Sequence, residues 1–251
     1  MLLLPHQTTT PGRTAILQQL REKVASLEEV QRRFAARIPV CDEIDNSLPY
    51  RGLPLGCLHE IKGSSLASAI AFASLLSERI CEARNGVVLH IAPDRSFHPL
   101  GVLPFGVKLE QWIHVSARRS KDLAWTVLEA LRCPQVRAVL AVMQAHTKDL
   151  TFCRRLQLAA ESSGATGFLL GDTASAPVAS AITRWRVSSV NAPPGRGFDE
   201  VFWALELLYA RSGRPGKWIV AWRNGRLEIF DSALRARPIQ RVALVPQVLA
   251  G

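Results

Sequence analysis

The stretch HEIKGSSLASAI, His59 to Ile70, decides how the rest of the chain is read. An apolar run closes on a glycine, a serine pair follows, and a small-residue segment of helical character begins. That is the outline of a strand, a phosphate-binding loop and a helix. A P-loop reads G-x-x-x-x-G-K-[ST], because it needs close backbone approach, a lysine charge and a hydroxyl for Mg²⁺. Laid on this stretch without a gap, Gly63 takes the first position. Ser68 then stands at the second glycine, Ala69 at the lysine and Ile70 at the hydroxyl. Alanine has no charge to set against the β- and γ-phosphates, and isoleucine cannot ligand a metal. The run Ile70, Phe72, Ala73, Leu76, Ile80 suits the buried face of a helix instead.

Outward from this stretch, short apolar runs at Cys57–Ile61, Val87–Ile91, Trp112–Val115, Val136–Val142 and Gly167–Leu170 predict buried strands. Between them lie helical patterns at Leu66–Ala83, Lys121–Arg132 and Asp149–Ser163. This alternation predicts an α/β fold, a mostly parallel sheet flanked by helices. Ala181–Val190 adds a further expected strand. After NAPPGRG a helix is expected over Phe198–Tyr209, then a hairpin turning at Asn224-Gly225 inside WIVAWRNGRLEIFD. This last part is expected to extend the sheet in antiparallel fashion. Ahead of the alternation, Leu17, Leu20, Val24, Leu27 and Phe34 form one seam on an amphipathic helix, suited to docking on its own core or on another chain. The tail RARPIQRVALVPQVLAG sets apolar residues in a basic, proline-broken frame, which suits an extended docking segment.

The chain has 251 residues, 48% of them hydrophobic, enough for one sizeable core. No run reaches the ~20 apolar residues of a membrane-spanning helix. The opening MLLLPHQTTTPG has no basic n-region and is not expected to be a secretory signal. Five cysteines are scattered without a C-x-x-C pair, so neither a disulfide framework nor a zinc site is expected, and reduced thiols point to the cytoplasm. The six histidines show no H-x-x-x-H or H-E-x-x-H spacing, and no G-x-S-x-G elbow occurs. No enzyme, metal or cofactor is expected. The formal charge of +10 favours an acidic partner, nucleic acid or an acidic protein surface, although an arginine-rich proteome yields the same charge with no such role.

Several blocks carry a family resemblance. GLPLGCLHEIKG, Gly52 to Gly63, resembles the RecA-family lead-in to the P-loop, with its glycine-rich turn, first strand and glutamate. HIAPDRSFHPLGV resembles the RecA segment in which a glutamate activates the attacking water, and Asp94 falls in that place. DLAWTVLEALRC, RRLQLAAESSGATGFLL, RWRVSSV and RPGKWIVAW follow in order, and together the blocks resemble the ImuA family. The resemblance runs from about Thr14 to Phe230. It implies a RecA-like core over residues 39–190, preceded by an N-terminal amphipathic helix and tail (1–38) and followed by a C-terminal helix, hairpin and docking tail (191–251). It also implies a non-catalytic accessory protein of SOS-induced mutagenic translesion synthesis. The implied partners are ImuB, an inactive relative of the Y-family polymerases, RecA and, indirectly, an error-prone DnaE-type polymerase; the set is called a mutasome.

The remaining residues agree on what is missing. In Walker-B geometry a carboxylate should close the strand Val136–Val142, but Met143 and Gln144 follow and the next acid is Asp149. Asp94 then stands as a degenerate acid position or a solvated turn residue. Backbone amides of Ser64 to Ala67 leave residual nucleotide binding open. The equivalents of RecA's DNA-gripping loops, Gln144–Leu150 and Gly171–Pro177, hold one cation, Lys148, where single-stranded DNA needs several. Cations gather elsewhere. They group at Arg32, Arg33 and Arg37, at Arg118, Arg119 and Lys121, at Arg154 and Arg155, at Arg184 and Arg186, and at Arg211, Arg214, Lys217 and Arg223; Trp218 and Trp222 are interleaved in the last, a mixture suited to a protein hot spot or a stacked base. The alternative for the tryptophans is alternation into a core while the charges face water. Direct DNA contact and self-association stay open. Two other functions remain in play: a SulA-like inhibitor of FtsZ polymerisation, also RecA-like without the ATPase residues but usually shorter and without RPGKW, and a weak ATPase.

Overall fold

The computed structural model describes residues 36–93, 97–143, 150–173, 177–192 and 200–230. The seam of 14–34, Asp94, nearly all of the Gln144–Leu150 loop and the tail after Phe230 lie outside the described residues. All elements below belong to the unit that begins at Arg37.

A two-residue strand β1 (Arg37–Ile38) pairs with β2 (Leu53–Pro54), and the single turn α1 (Asp42–Asp45) lies between them. The expected alternation follows: β3 (Leu58–Gly63), α2 (Leu66–Arg84), β4 (Val87–Ala92), β5 (Trp112–Ser116), α3 (Ser120–Arg132), β6 (Val136–Val142), α4 (Leu150–Ser163) and β7 (Thr166–Asp172). Then come β8 (Thr183–Ser189), the further strand, and β9 (Val201–Ala210), β10 (Gly216–Arg223) and β11 (Arg226–Ile229). The nine-stranded sheet has the order β11-β10-β9-β8-β3-β7-β6-β4-β5. Neighbours from β8 to β5 are parallel, whereas β8–β9, β9–β10 and β10–β11 are antiparallel. This is a RecA-like core with an antiparallel C-terminal extension. The β10–β11 turn falls at Asn224-Gly225, whose φ values of 50° and 73° give the primed turn that matches strand twist.

One expectation is corrected. Over its described part, the segment expected as a helix (Phe198–Tyr209) is instead strand β9, paired along its length with β8 and β10. Its leucines, alanines and glutamate carry good helix propensity, but ladder pairing on both sides and burial of Trp203, Leu205 and Leu207 override that weak preference.

Two hydrophobic layers cover the sheet. On one face α2 inserts Phe72 between Trp185 of β8 and Trp203 of β9, with ring centroids 5.7 and 6.1 Å away. Phe105 continues this layer to Trp203 and Trp222, so core and extension share one interior. On the other face α3 and α4 cover Leu58, Val139 and Leu169. His59, fully buried on β3, is tied into this frame. Its Nδ1 lies 2.7 Å from the Thr183 hydroxyl and its Nε2 lies 2.9 Å from the Pro54 carbonyl. Among the described residues no helix is long and apolar enough to cross a membrane, and all five cysteines are free.

Candidate functional site

Gly63 ends β3 and Leu66 already begins α2, so only Ser64 and Ser65 separate strand from helix. A P-loop places four residues between its glycines. Here the last two of those positions, Leu66 and Ala67, are helical. Ser65 is the N-cap: its hydroxyl accepts from the Ser68 N–H at 3.3 Å, while the Ser68 hydroxyl accepts from the Ser65 N–H at 3.4 Å and donates to the Ser65 carbonyl at 2.9 Å. This reciprocal capping box satisfies orphan donors that an anion would otherwise use. Ser64 N–H donates to Val187 O at 2.9 Å and Ala69 N–H to Ser65 O at 3.4 Å. The amides of Ser64, Ser65, Ser68 and Ala69 are thus engaged within the protein. The Ser65 carbonyl fills the space a Gly63 side chain would need, so the turn closes on its own backbone. Ala69 is wholly buried and Ile70 packs against the core.

At the carboxyl ends of the parallel strands, β6 stops at Val142, and buried Met143 donates its N–H to Leu170 O at 3.0 Å. One carboxylate does stand beside the turn: Asp172, exposed at the end of β7, is the register partner of Gly63. The sequence carries no signal for it, because the placement depends on β7 pairing with β3. Among the described residues no group of three or more His, Cys, Asp or Glu side chains could hold a metal ion.

A second arrangement sits mid-sheet. Glu60, 2% exposed, accepts from Val178 N–H at 3.2 Å and lies 3.8 Å from Lys62 Nζ and 3.7 Å from Arg184 Nε. Arg184 also donates to the Val178 carbonyl and lies 4.9 Å over the Tyr209 ring. Burying a carboxylate demands such compensation. The cluster fastens the segment ahead of β8 to the centre of the sheet.

The sequence-predicted cations fall on different elements. Arg154 and Arg155 are exposed on α4, and Arg214 is exposed ahead of β10. On β10 the pleat divides the rest. Trp218 and Trp222 turn to the α2 side: Trp222 is 5% exposed and donates to the Pro104 carbonyl at 2.7 Å, and Trp218 packs toward Trp185 at 6.5 Å. Trp222 is therefore core, out of reach of a partner. Lys217 and Arg223 turn to the other face, where Arg223 pairs with Glu228 at 2.6 Å.

That outer face carries a feature the sequence reading missed. Arg186, Glu206 and Lys217 lie in register on β8, β9 and β10, both cations 2.6 Å from the one carboxylate. The Lys217 hydrogen bond, helped by the Arg186 charge, holds the Glu206 carboxyl below its usual range. The next row, Ser188, Ala204 and Ile219, carries no charge and lines a concavity of about 490 Å³, together with Phe230. With 198–209 read as a helix, Glu206 could not be aligned with Arg186 and Lys217.

No protein-family model matches the chain. Protein ImuA of Caulobacter vibrioides is 32% identical over 197 residues, covering 70% of this chain and 79% of its own length; the Protein ImuA of a second strain of that species matches to the same extent.

Proposed function

The chain belongs to the ImuA family, and from that premise we propose a non-catalytic accessory role in SOS-induced mutagenic translesion synthesis. The protein acts in the cytoplasm as an adaptor or regulator that binds an ImuB-type inactive polymerase, RecA, or both, and reaches the DnaE-type polymerase through them. One observation carries the non-catalytic half of this reading. The turn after Gly63 engages the Ser64 amide with Val187 and the Ser65 and Ser68 amides in its own capping box, and it presents buried Ala69 where a phosphate-binding lysine would stand. A scaffold of this shape supports surface recognition better than hydrolysis.

Pairwise binding of the nuclease-treated full chain to purified ImuB-type protein and to RecA tests the role. A complex with either at micromolar concentration is expected. Binding to neither, together with inhibition of FtsZ polymerisation, would replace this reading with the SulA-like one. The same preparation should turn over no ATP; turnover that disappears in Asp94→Ala would make it a weak ATPase instead.

A further inference from the structure

We propose that the concavity on the outer face of β8, β9 and β10 is a docking groove for a short acidic–apolar peptide segment of a partner protein. This rests on the reading of the chain as a partner-binding accessory and names the surface that does the binding.

The groove has an apolar floor and a charged rim. Ser188, Ala204 and Ile219 are small or aliphatic, and Phe230 lines the groove with them. A volume of about 490 Å³ takes two or three side chains and lies within the usual range for ligand clefts. Along the near rim Arg186 and Lys217 share Glu206, so the row keeps one surplus positive charge. Arg186 reaches Glu206 through Nη1, which leaves the Nε–Nη2 edge of its guanidinium to a ligand, on a side chain that is itself 46% exposed. That edge matches a carboxylate in bidentate fashion.

Charge complementarity selects among occupants. A single-stranded nucleic acid brings one phosphate per nucleotide and needs several cations with stacking rings. Here the two cations already serve a carboxylate, and only one surplus positive charge is left for a phosphate backbone. The chain's own segment 231–251 follows Phe230 in sequence, but it carries Arg235, Arg237 and Arg241 against one acid, Asp231. A peptide with an aliphatic or aromatic residue beside one or two carboxylates fits floor and rim together.

The test is fluorescence polarisation of the full chain with a labelled eight-residue peptide containing Asp-Leu-Asp-Phe, and with its Asn-Leu-Asn-Phe twin. The acidic probe should bind with a micromolar dissociation constant and the twin at least tenfold more weakly. Arg186→Glu and, separately, Ala204→Trp should each weaken the acidic probe tenfold or more with unchanged circular dichroism, and Arg186→Glu should come to prefer a Lys-Leu-Lys-Phe probe. Equal binding of the twins, no binding, or indifference to both substitutions overturns the proposal. Tighter binding of an oligo-dT 12-mer that is lost in Arg186→Glu would assign the groove to nucleic acid. Displacement of the probe by a synthetic 231–251 peptide at equal concentration would assign it to the tail. Binding of ImuB-type protein and RecA that survives Arg186→Glu and Ala204→Trp, with no peptide bound, would sink the groove alone. Peptide binding without either protein complex would sink the functional reading alone.

Discussion

His59 is closed inside β3, and its hydrogen bonds can run in only one direction. The Pro54 carbonyl can only accept, so Nε2 carries the proton and Nδ1 must accept from the Thr183 hydroxyl. Thr183 in turn accepts from the Trp185 indole N–H at 2.8 Å. Every member is satisfied while the ring is neutral, and burial pulls its pKa down to about 4. Between pH ~6.5 and ~4 the unfolded chain therefore binds more protons at this site than the folded one, and stability falls as pH drops through that window. Full development of the effect is on the order of 3 kcal/mol. Asp45 works the other way: burial pushes its carboxyl up to about 6, so its contribution grows as pH falls from 6 toward 3.8. Comparing wild type with His59→Gln by urea unfolding at pH 7 and pH 4.5 isolates the histidine. The variant should lose less stability between the two pH values than the wild type does; equal losses would refute the neutral-ring assignment.

At the scale of the element, the β3–α2 junction explains why repairing the motif letters would not repair the site. Ala69 faces the core, so Ala69→Lys forces an ammonium among Phe72 and its neighbours at a cost of about 3 kcal/mol or more. Ser68→Gly removes half of the capping box, worth roughly another 1 kcal/mol. The triple variant Ser68→Gly, Ala69→Lys, Ile70→Ser should melt about 8–16 °C lower than the wild type and gain no stabilisation from MgATP in a thermal-shift assay. A rise in melting temperature with MgATP would show that the loop can reopen. The strands of this element's neighbourhood were legible because parallel strands buried on both faces read as unbroken apolar runs, as VRAVLAV does. The segment VFWALELLYA was not, because crowded apolar residues satisfy a period of 2 and of 3.6 together. Nor could the Arg186–Glu206–Lys217 row or the Glu60–Arg184 pair be seen, since each joins residues far apart in sequence through strand register alone.

Over the whole molecule, the α2-facing core crosses from the parallel strands into the extension without a break. Phe72, Trp185, Trp203, Phe105 and Trp222 form one connected series of ring contacts. Residues 37–230 should therefore unfold in one cooperative step, with tryptophan fluorescence and far-ultraviolet circular dichroism giving coincident urea transitions. A chain stopped after Val190 would expose Trp185 and Val187 and should fail to reach a soluble native state. Two separated transitions, or a soluble and cooperative 1–190 fragment, would show that the extension is an independent appendage.

The position of β3 between β7 and β8 also sets a schedule for synthesis. Its first neighbour by sequence, β4, is not its neighbour in the sheet. The bond from His59 to Thr183 closes a loop of 124 residues. At about 5–20 residues per second on the ribosome, β3 waits roughly 6–25 s for β8 after it is made. Until β7 follows, late in that interval, Leu58 and Ile61 lie on an apolar strand with neither of its sheet neighbours yet made. The nascent protein is thus most exposed to aggregation, and most in need of a chaperone, through the segment on which its finished fold is centred.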